Sequence, residues 1–313
     1  MPDTRILVVK LSAFGNIILS LSAFGAIRQH HPDATITVLT TRAYADWLRA
    51  APFFDDVMVA ERTAWWDLPA LLRLRRALAA GRFTRVYDLQ TSGRSSKYFR
   101  MFPRARRPEW SGIAPGCSHP DRDPDRDRLH DIDRQIGQLR QAGITAIPEP
   151  DLSWCRGDIT RFGLPDGIVL LVPGSSDHRP LKRWPLPLYA ALAEALRARG
   201  LTPVVVGTAG EKPLAAGIPA AIDLTGQTSP GDLCDLARAA RFAVGNDTGP
   251  IHLTATIGCP TLVLFSHDSD PALCAPRGRS VTVLRRPSLA DLTLAEVLGA
   301  EVLGAEVLAA VPA

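Results

Sequence analysis

Cysteine is scarce. The 313-residue chain carries five, Cys117, Cys155, Cys234, Cys259 and Cys274, an odd number with no C-x-x-C pair. That pattern argues against a disulfide framework and against a cysteine-based zinc site. Cys259 sits among apolar neighbours and is expected to be a small core residue. Long apolar runs are missing as well, and none approaches the roughly 18 residues of a membrane span. The opening residues Met1-Pro2-Asp3-Thr4-Arg5 lead straight into an apolar strand. A cytoplasmic protein without a signal peptide is therefore expected, with peripheral membrane contact left open. No G-x-G-x-x-G follows that strand. Ser12 to Asn16 holds one glycine, so a dinucleotide has no close-approach turn there and a Rossmann oxidoreductase is disfavoured. Basic residues are not interleaved with an aromatic recognition motif, which speaks against a nucleic-acid partner. No set of side chains has metal-ligand spacing, so no metal is expected.

What is present is apolar content and alternation. Hydrophobic residues make up 46% of the chain, enough for well-formed cores, and the length suits two domains. The net charge of +4 decides nothing alone, but its distribution is uneven. Arg73, Arg75, Arg76, Lys97, Arg100, Arg104, Arg106 and Arg107 crowd the first half. They read either as solvated helix faces or as a basic surface for anionic headgroups or a phosphorylated acceptor.

Strand and helix patterns alternate, the mark of parallel β-α-β units. In the first half, strands are expected at 5–10, 35–40, 57–60 and 86–89, with helices at 17–30, 44–51, 68–80 and 133–142. Residues 104–124 read as loop, and the alternating charges from Asp121 to Arg128 as a solvated segment. A Pro-rich stretch from Ile147 to Leu152 is the expected linker. The second half repeats the alternation, with strands at 168–172, 202–206, 242–244 and 261–265 and helices at 188–199, 231–239 and 251–257. The fold class is therefore α/β, with a domain at 1–150, a second at 151–290 and a C-terminal helical tail at 291–313. Two such halves are expected to face a central cleft at the carboxyl ends of their strands. The Ala-Glu-Val-Leu-Gly repeats of the tail read as a packing helix.

Two turns carry the chemistry. In Val244-Gly245-Asn246-Asp247-Thr248-Gly249-Pro250-Ile251-His252 an apolar strand ends in a polar turn and a helix begins. Such a turn aims free N–H groups and the positive end of a helix dipole at whatever lies above it, which suits a pyrophosphate. Asp247, Thr248 and His252 add side chains for a ribose or phosphate. The plain alternative is an ordinary capped turn. Upstream, Leu171-Val172-Pro173-Gly174-Ser175-Ser176 leads to Lys182-Arg183-Trp184-Pro185. This is again a strand, a polar turn and a helix start.

Together these segments resemble the nucleotide-sugar half of the heptosyltransferases (glycosyltransferase family 9), which build the inner core of lipopolysaccharide. The family pattern there is a Gly/Ser/Thr-rich turn, a Lys before Trp-Pro, and Asp-Thr-Gly-x-x-His. Ile6 to Ile27 also looks like the family's start, so the resemblance spans nearly the whole chain. It implies the two-Rossmann-domain GT-B architecture. It also implies an inverting, metal-independent transfer of heptose or a related sugar from an ADP-sugar to a lipopolysaccharide-core or other glycan acceptor, with no cofactor beyond the donor substrate. The implied partners are a nucleotide sugar and an anionic lipid-linked glycan, with contact at the inner-membrane surface. Asp121-Arg122-Asp123 could be the Asp-x-Asp of another glycosyltransferase class, but it follows no strand.

Within that reading Ser175, Ser176, Lys182, Asp247, Thr248, Gly249 and His252 hold the diphosphate side of the donor, Lys182 as a point charge in place of a metal. The resemblance puts Glu211 and Thr228 at the nucleoside, although Glu211 reads equally as a first-turn helix acid. Ser12, Gly15, Asn16, Gln90, Arg94 and Ser95 face the acceptor. The family's first turn typically reads Gly-Asp, with that Asp taken as general base; here it reads Gly15-Asn16. Asparagine cannot accept a proton at neutral pH, though it can bind the acceptor or cap a helix starting at Ile17. Either another carboxylate acts, with Asp88, Asp268 and Asp270 as candidates, or the protein binds nucleotide sugar with little turnover, or the residue is a substitution.

Overall fold

The computed structural model describes residues 4–60, 67–176 and 178–300. The chain divides into two compact units, Met1–Trp154 and Cys155–Ala313. Trp154 stays with the first because its ring packs on Trp47, with centroids 5.5 Å apart, and on Phe53, at 6.3 Å.

In the first unit the order is β1 (Arg5–Val9), α1 (Phe14–Ile18), α2 (Leu21–His30), β2 (Thr35–Thr40), α3 (Arg42–Arg49), β3 (Asp56–Val59), α4 (Leu68–Ala80), β4 (Arg85–Asp88), α5 (Gly93–Met101), β5 (Glu109–Gly112), β6 (His119–Pro120) and α6 (Asp131–Gln141). Its strands form one sheet in the order β3-β2-β1-β4-β5-β6, every pair parallel. Parallel neighbours need crossovers, which the helices supply, and helices on both faces bury the central strands. Ile6 to Val9 are accordingly sealed from solvent. Leu7, Val9, Leu39, Leu78, Val86, Phe99 and Trp110 belong to one apolar core.

The second unit runs β7 (Ile168–Val172), α7 (Leu186–Arg197), β8 (Thr202–Val205), α8 (Lys212–Ala216), β9 (Ile222–Asp223), α9 (Pro230–Ala239), β10 (Phe242–Asn246), α10 (Gly249–Ile257), β11 (Thr261–Phe265), α11 (Pro271–Cys274), β12 (Val281–Arg285) and α12 (Leu294–Leu298). Its parallel sheet has the order β12-β11-β10-β7-β8-β9. Each sheet reverses its winding once, between β1 and β4 in the first and between β7 and β10 in the second. In a doubly wound sheet the loops leaving the strands diverge at such a reversal and leave a crevice.

Several expectations need correction. The helix foreseen over 17–30 starts at Phe14 and is interrupted before Leu21, where the buried Ser20 hydroxyl donates to Asn16 O at 2.7 Å. Asn16 therefore lies inside α1 and does not cap it; Ala13 is the cap residue. The 104–124 stretch contains β5 and β6, too short to show apolar alternation. Nor is Asp121 solvated. Its side chain is buried, bonding Arg126 Nε at 2.8 Å and Gln141 Nε2 at 3.1 Å. The polar residues from Ser92 onward open α5 through a reciprocal capping box between Ser92 and Ser95. In the expected tail, Val297 and Ala300 join the second core, and residues 301–313 lie outside the described residues. The buried cysteines include Cys259, as expected.

Candidate functional site

The reversal in the second sheet is held by an amide. Asn246 ends β10 with no solvent exposure. Its Nδ2 donates to Pro173 O at 2.8 Å and Gly174 O at 3.2 Å. Its Oδ1 accepts from the Trp184 backbone N–H at 3.0 Å and from the Tyr189 hydroxyl at 3.2 Å. One side chain thus ties the turn after β7, the approach to α7 and the turn after β10. Trp184 is anchored again through Nε1, which donates to Leu292 O at 2.8 Å. Lys182, two residues before that indole, is thereby aimed at the crevice.

Lys182 Nζ meets Asp247 Oδ2 at 2.5 Å. Asp247 also accepts from Ser269 Oγ at 2.8 Å and sits 3.2 Å from His252 Nε2. Burial opposes ionisation of Asp247, but the His252 hydrogen bond and the Lys182 charge outweigh it and hold the carboxyl well below the usual range. The anion in turn fixes the lysine. An ammonium has three N–H donors, so one on Asp247 leaves two for a ligand. His252 is buried, and its Nδ1 has no hydrogen-bond partner among the described residues.

Helix α10 opens at Thr248 without a side-chain cap. Pro250 has no N–H and Ile251 N is bonded to Thr248 O at 3.1 Å, so the Thr248 and Gly249 N–H groups stand at the positive end of the dipole, the arrangement that binds anions. Pro250 pre-sets the first turn at no hydrogen-bond cost. Gly245 is required beneath, because a Cβ there would overlap Val172 and Ile251.

Of the residues foreseen for the donor, Ser175, Ser176, Lys182, Asp247, Thr248, Gly249 and His252 belong to the two turns at this reversal. Ser175 is not a free hydroxyl. It is buried, donates to Arg179 O at 3.3 Å and accepts from Arg183 Nε at 3.1 Å. Ser176 beside it is exposed. Glu211 acts as the helix acid of the plain reading. Its carboxylate accepts from Thr208 N at 2.7 Å and Thr208 Oγ1 at 2.9 Å. It also borders the crevice, since a Cβ on Gly174 would overlap it. Thr228 lies half-buried in the loop before α9.

The reversal in the first sheet gathers the acceptor candidates. Gln90 Oε1 accepts from Leu11 N at 2.8 Å and Ser12 N at 3.3 Å, clamping the loop after β1 to the loop after β4. Lys10, buried below, donates to Leu89 O at 3.1 Å. Burial drives its pKa down, against the pull of Asp131. Asn16 is exposed on α1 and Gly15 is buried beside it. Ser95 has no exposure and serves the capping box, so it cannot touch an acceptor. Arg94 is half-buried and donates to Ala60 O at 3.3 Å.

The alternative bases differ sharply. Asp88 is fully buried and accepts from Thr91 N at 3.1 Å; burial pushes its pKa up to about 7. It orders its loop and is closed to an acceptor hydroxyl. Asp270 caps α11, accepting from Ala272 N at 3.1 Å, and pairs with Arg285 at 3.3 Å. Asp268 faces His267 at 3.3 Å.

Sequence reasoning missed Asn246 and Ser269. An amide ending the apolar run Phe242–Val244 was the available signal for the first. Ser269 carried none, because its loop reaches Asp247 only through the fold.

The family model for glycosyltransferase family 9 (heptosyltransferase) matches residues 71–295. A curated relative, lipopolysaccharide heptosyltransferase 2 of Escherichia coli K12, is 25% identical over 310 residues, covering 90% of this chain and 88% of the relative. Among solved structures, E. coli ADP-heptose lps heptosyltransferase II superposes with a TM-score of 0.78 at 23% identity, covering 98% of this chain and 99% of that one. E. coli heptosyltransferase WaaC with ADP gives 0.71 at 21%, covering 94% and 98%. At those identities the structural likeness is one of fold, and it matches the two parallel-sheet domains found here. The family match covers well over half of the residues: the chain belongs to glycosyltransferase family 9, the heptosyltransferase family, and is a glycosyltransferase.

Proposed function

We propose that this glycosyltransferase moves heptose or a related sugar from an ADP-sugar to an anionic, lipid-linked glycan of the lipopolysaccharide core, with inversion and without a metal ion. The observation that carries the proposal is the meeting of Lys182, fixed by Asp247, with the uncapped start of α10. Charge develops on the diphosphate as the glycosidic bond breaks. Preorganised donors aimed at that charge lower the barrier without reorganising. The two remaining N–H donors of Lys182, the α10 N–H groups and the Ser176 hydroxyl are suited to that role. The solved relative described with ADP supports the choice of nucleotide. Among the described residues no three His, Cys, Asp or Glu side chains converge, which leaves the lysine and the helix terminus as the counter-charges in this reading. The site of action on this proposal is the cytoplasmic face of the inner membrane.

One observation favours a second reading, a nucleotide-sugar-binding protein with little turnover: Asn16 is exposed where the family pattern has its base. The test is a transfer and donor-hydrolysis assay across nucleotide sugars, with and without EDTA. Turnover of an ADP-sugar that survives chelation supports the first reading. Donor binding without any transfer to lipopolysaccharide-core acceptors supports the second. Activity lost on chelation and restored by magnesium or manganese contradicts the metal-independent route.

A further inference from the structure

Helix α4 is exposed for its whole length on one side. Of its thirteen residues only Leu78 is fully buried. Leu71 and Leu74 lean inward with it. At roughly 100° per residue, Leu68, Leu72, Arg75 and Ala79 form a separate stripe on the outward side. Leu68 is 63% exposed and Leu72 47%. They are two of only four large apolar side chains exposed among the described residues.

The charge around this stripe is one-sided. Between positions 67 and 107 stand eleven Lys and Arg against two acids, Asp67 and Asp88. Asp67 is spent on capping α4, accepting from Ala70 N at 3.1 Å, and Asp88 is buried. Arg73, Arg75, Arg76, Arg82, Lys97, Arg100, Arg104 and Arg106 are all exposed. None of these eight forms an ion pair with a described residue. Elsewhere on this unit arginines do find acids, as in Arg49–Asp46 and Arg28–Asp55. At the C-terminal end of α4 a groove of about 490 Å³ has Leu78, Phe83 and Phe102 on its floor and Arg82 and Arg106 on its rim.

We infer that the outward stripe of α4 and this groove form the surface by which the protein seats on an anionic phospholipid bilayer. The exposed leucines enter the headgroup–acyl boundary. The arginines beside them keep their charge at phosphate depth while their stems lie along apolar surface. Unpaired cations near an anionic leaflet each add attraction, and one apolar pair with several cations supplies the two signals that stable peripheral binding needs. The groove pairs an apolar floor with two guanidiniums, which matches a lipid phosphate above the start of its chains. The inference deepens the proposal of a lipid-linked acceptor and rests on it for its purpose, though not for its physics.

The test is sedimentation of the full chain with phosphatidylcholine vesicles, with and without phosphatidylglycerol, while ADP affinity is measured on the same samples. Binding is expected only to the anionic vesicles and is expected to weaken with salt. Replacing Arg75→Ala and Arg76→Ala together should lower partitioning roughly 30-fold, about fivefold per arginine. Leu68→Ser with Leu72→Ser should lower it about tenfold or more. Arg82→Ala with Arg106→Ala should act like the first pair. All six side chains are exposed, so unfolding midpoints should hold and report any variant that fails to fold. Equal binding to neutral and anionic vesicles, or variants that partition like the parent chain, would overturn the inference. So would leucine-dependent dimerisation without vesicle binding. Vesicle binding without ADP binding would leave this surface standing and remove the donor assignment; the reverse result would do the opposite.

Discussion

Replacing Asn246 with leucine tests whether one buried amide organises the donor crevice. The two side chains share the same branched heavy-atom skeleton, so the substitution removes hydrogen bonds while keeping the shape, with leucine the bulkier. Four bonds are lost: those to Pro173 O, Gly174 O, Trp184 N and the Tyr189 hydroxyl. The tyrosine keeps Val172 O at 3.3 Å, so three backbone groups bear the loss. A typical hydrogen bond contributes about 1 kcal/mol net, and a buried group left unpaired costs about 1–3 kcal/mol. Partial relaxation of the turns brings the expected loss to about 3–5 kcal/mol, a large share of a domain's usual stability. A shift of that size lowers the melting point of a unit this large by roughly 10 °C. Thermal and urea unfolding should be followed separately for the two units, because a two-domain chain need not unfold in one step. The first unit should melt as before. A loss under about 1 kcal/mol in the second unit would refute the role given to this amide.

Asn16→Asp should raise transfer tenfold or more, since general-base catalysis contributes about 10²–10⁴-fold, and should leave ADP affinity unchanged; steady-state kinetics with a phosphorylated core acceptor check both. Unchanged or slower transfer in that variant would move the base elsewhere, with Asp268 and Asp270 next to be replaced. Asp88 binds its proton more tightly folded than unfolded, so its contribution to stability should fall as pH rises from about 4 to about 7. His31, whose pKa burial lowers to about 4, works in the opposite sense between about 4 and 6.5. The difference in denaturation midpoint between the parent chain and Asp88→Asn isolates the first effect, and a pH-independent difference would count against it. Activity is expected to survive EDTA, as a chelation series in the transfer assay would show.

The parts of the fold legible in the sequence were those that periodicity governs. β2, α4, β7 and β11 fall where the apolar runs put them, because strands buried on both faces must be continuously apolar. Most of the parts that stayed hidden are short or polar; the apolar strand β12 (Val281–Arg285) was missed as well. β5, β6 and β9 need only two to four residues when a neighbouring strand supplies the ladder. Helix α5 begins on Ser-Gly-Arg-Ser-Ser, which reads as a loop until the Ser92–Ser95 capping box is seen. In the site, the turn at Asp247-Thr248-Gly249 and the lysine before Trp184 stood out through residue type and spacing. The commitments of individual side chains did not. Ser175 and Ser95 look like free hydroxyls in the sequence, but the fold spends both on their own turns. Asp88 reads as a strand-end acid, and only burial reveals that it is closed to solvent.

The central claim is that Lys182 and the start of α10 hold the donor diphosphate. Calorimetric titration of ADP into the parent chain and into Lys182→Ala tests it most directly. The lysine's charge-assisted bond to a phosphate contributes about 1.5–3 kcal/mol, so affinity should fall roughly 10- to 150-fold. Asp247→Asn in the Lys182→Ala background should recover part of the loss by removing the carboxylate left without its cation. ADP affinity unchanged in Lys182→Ala would contradict the account.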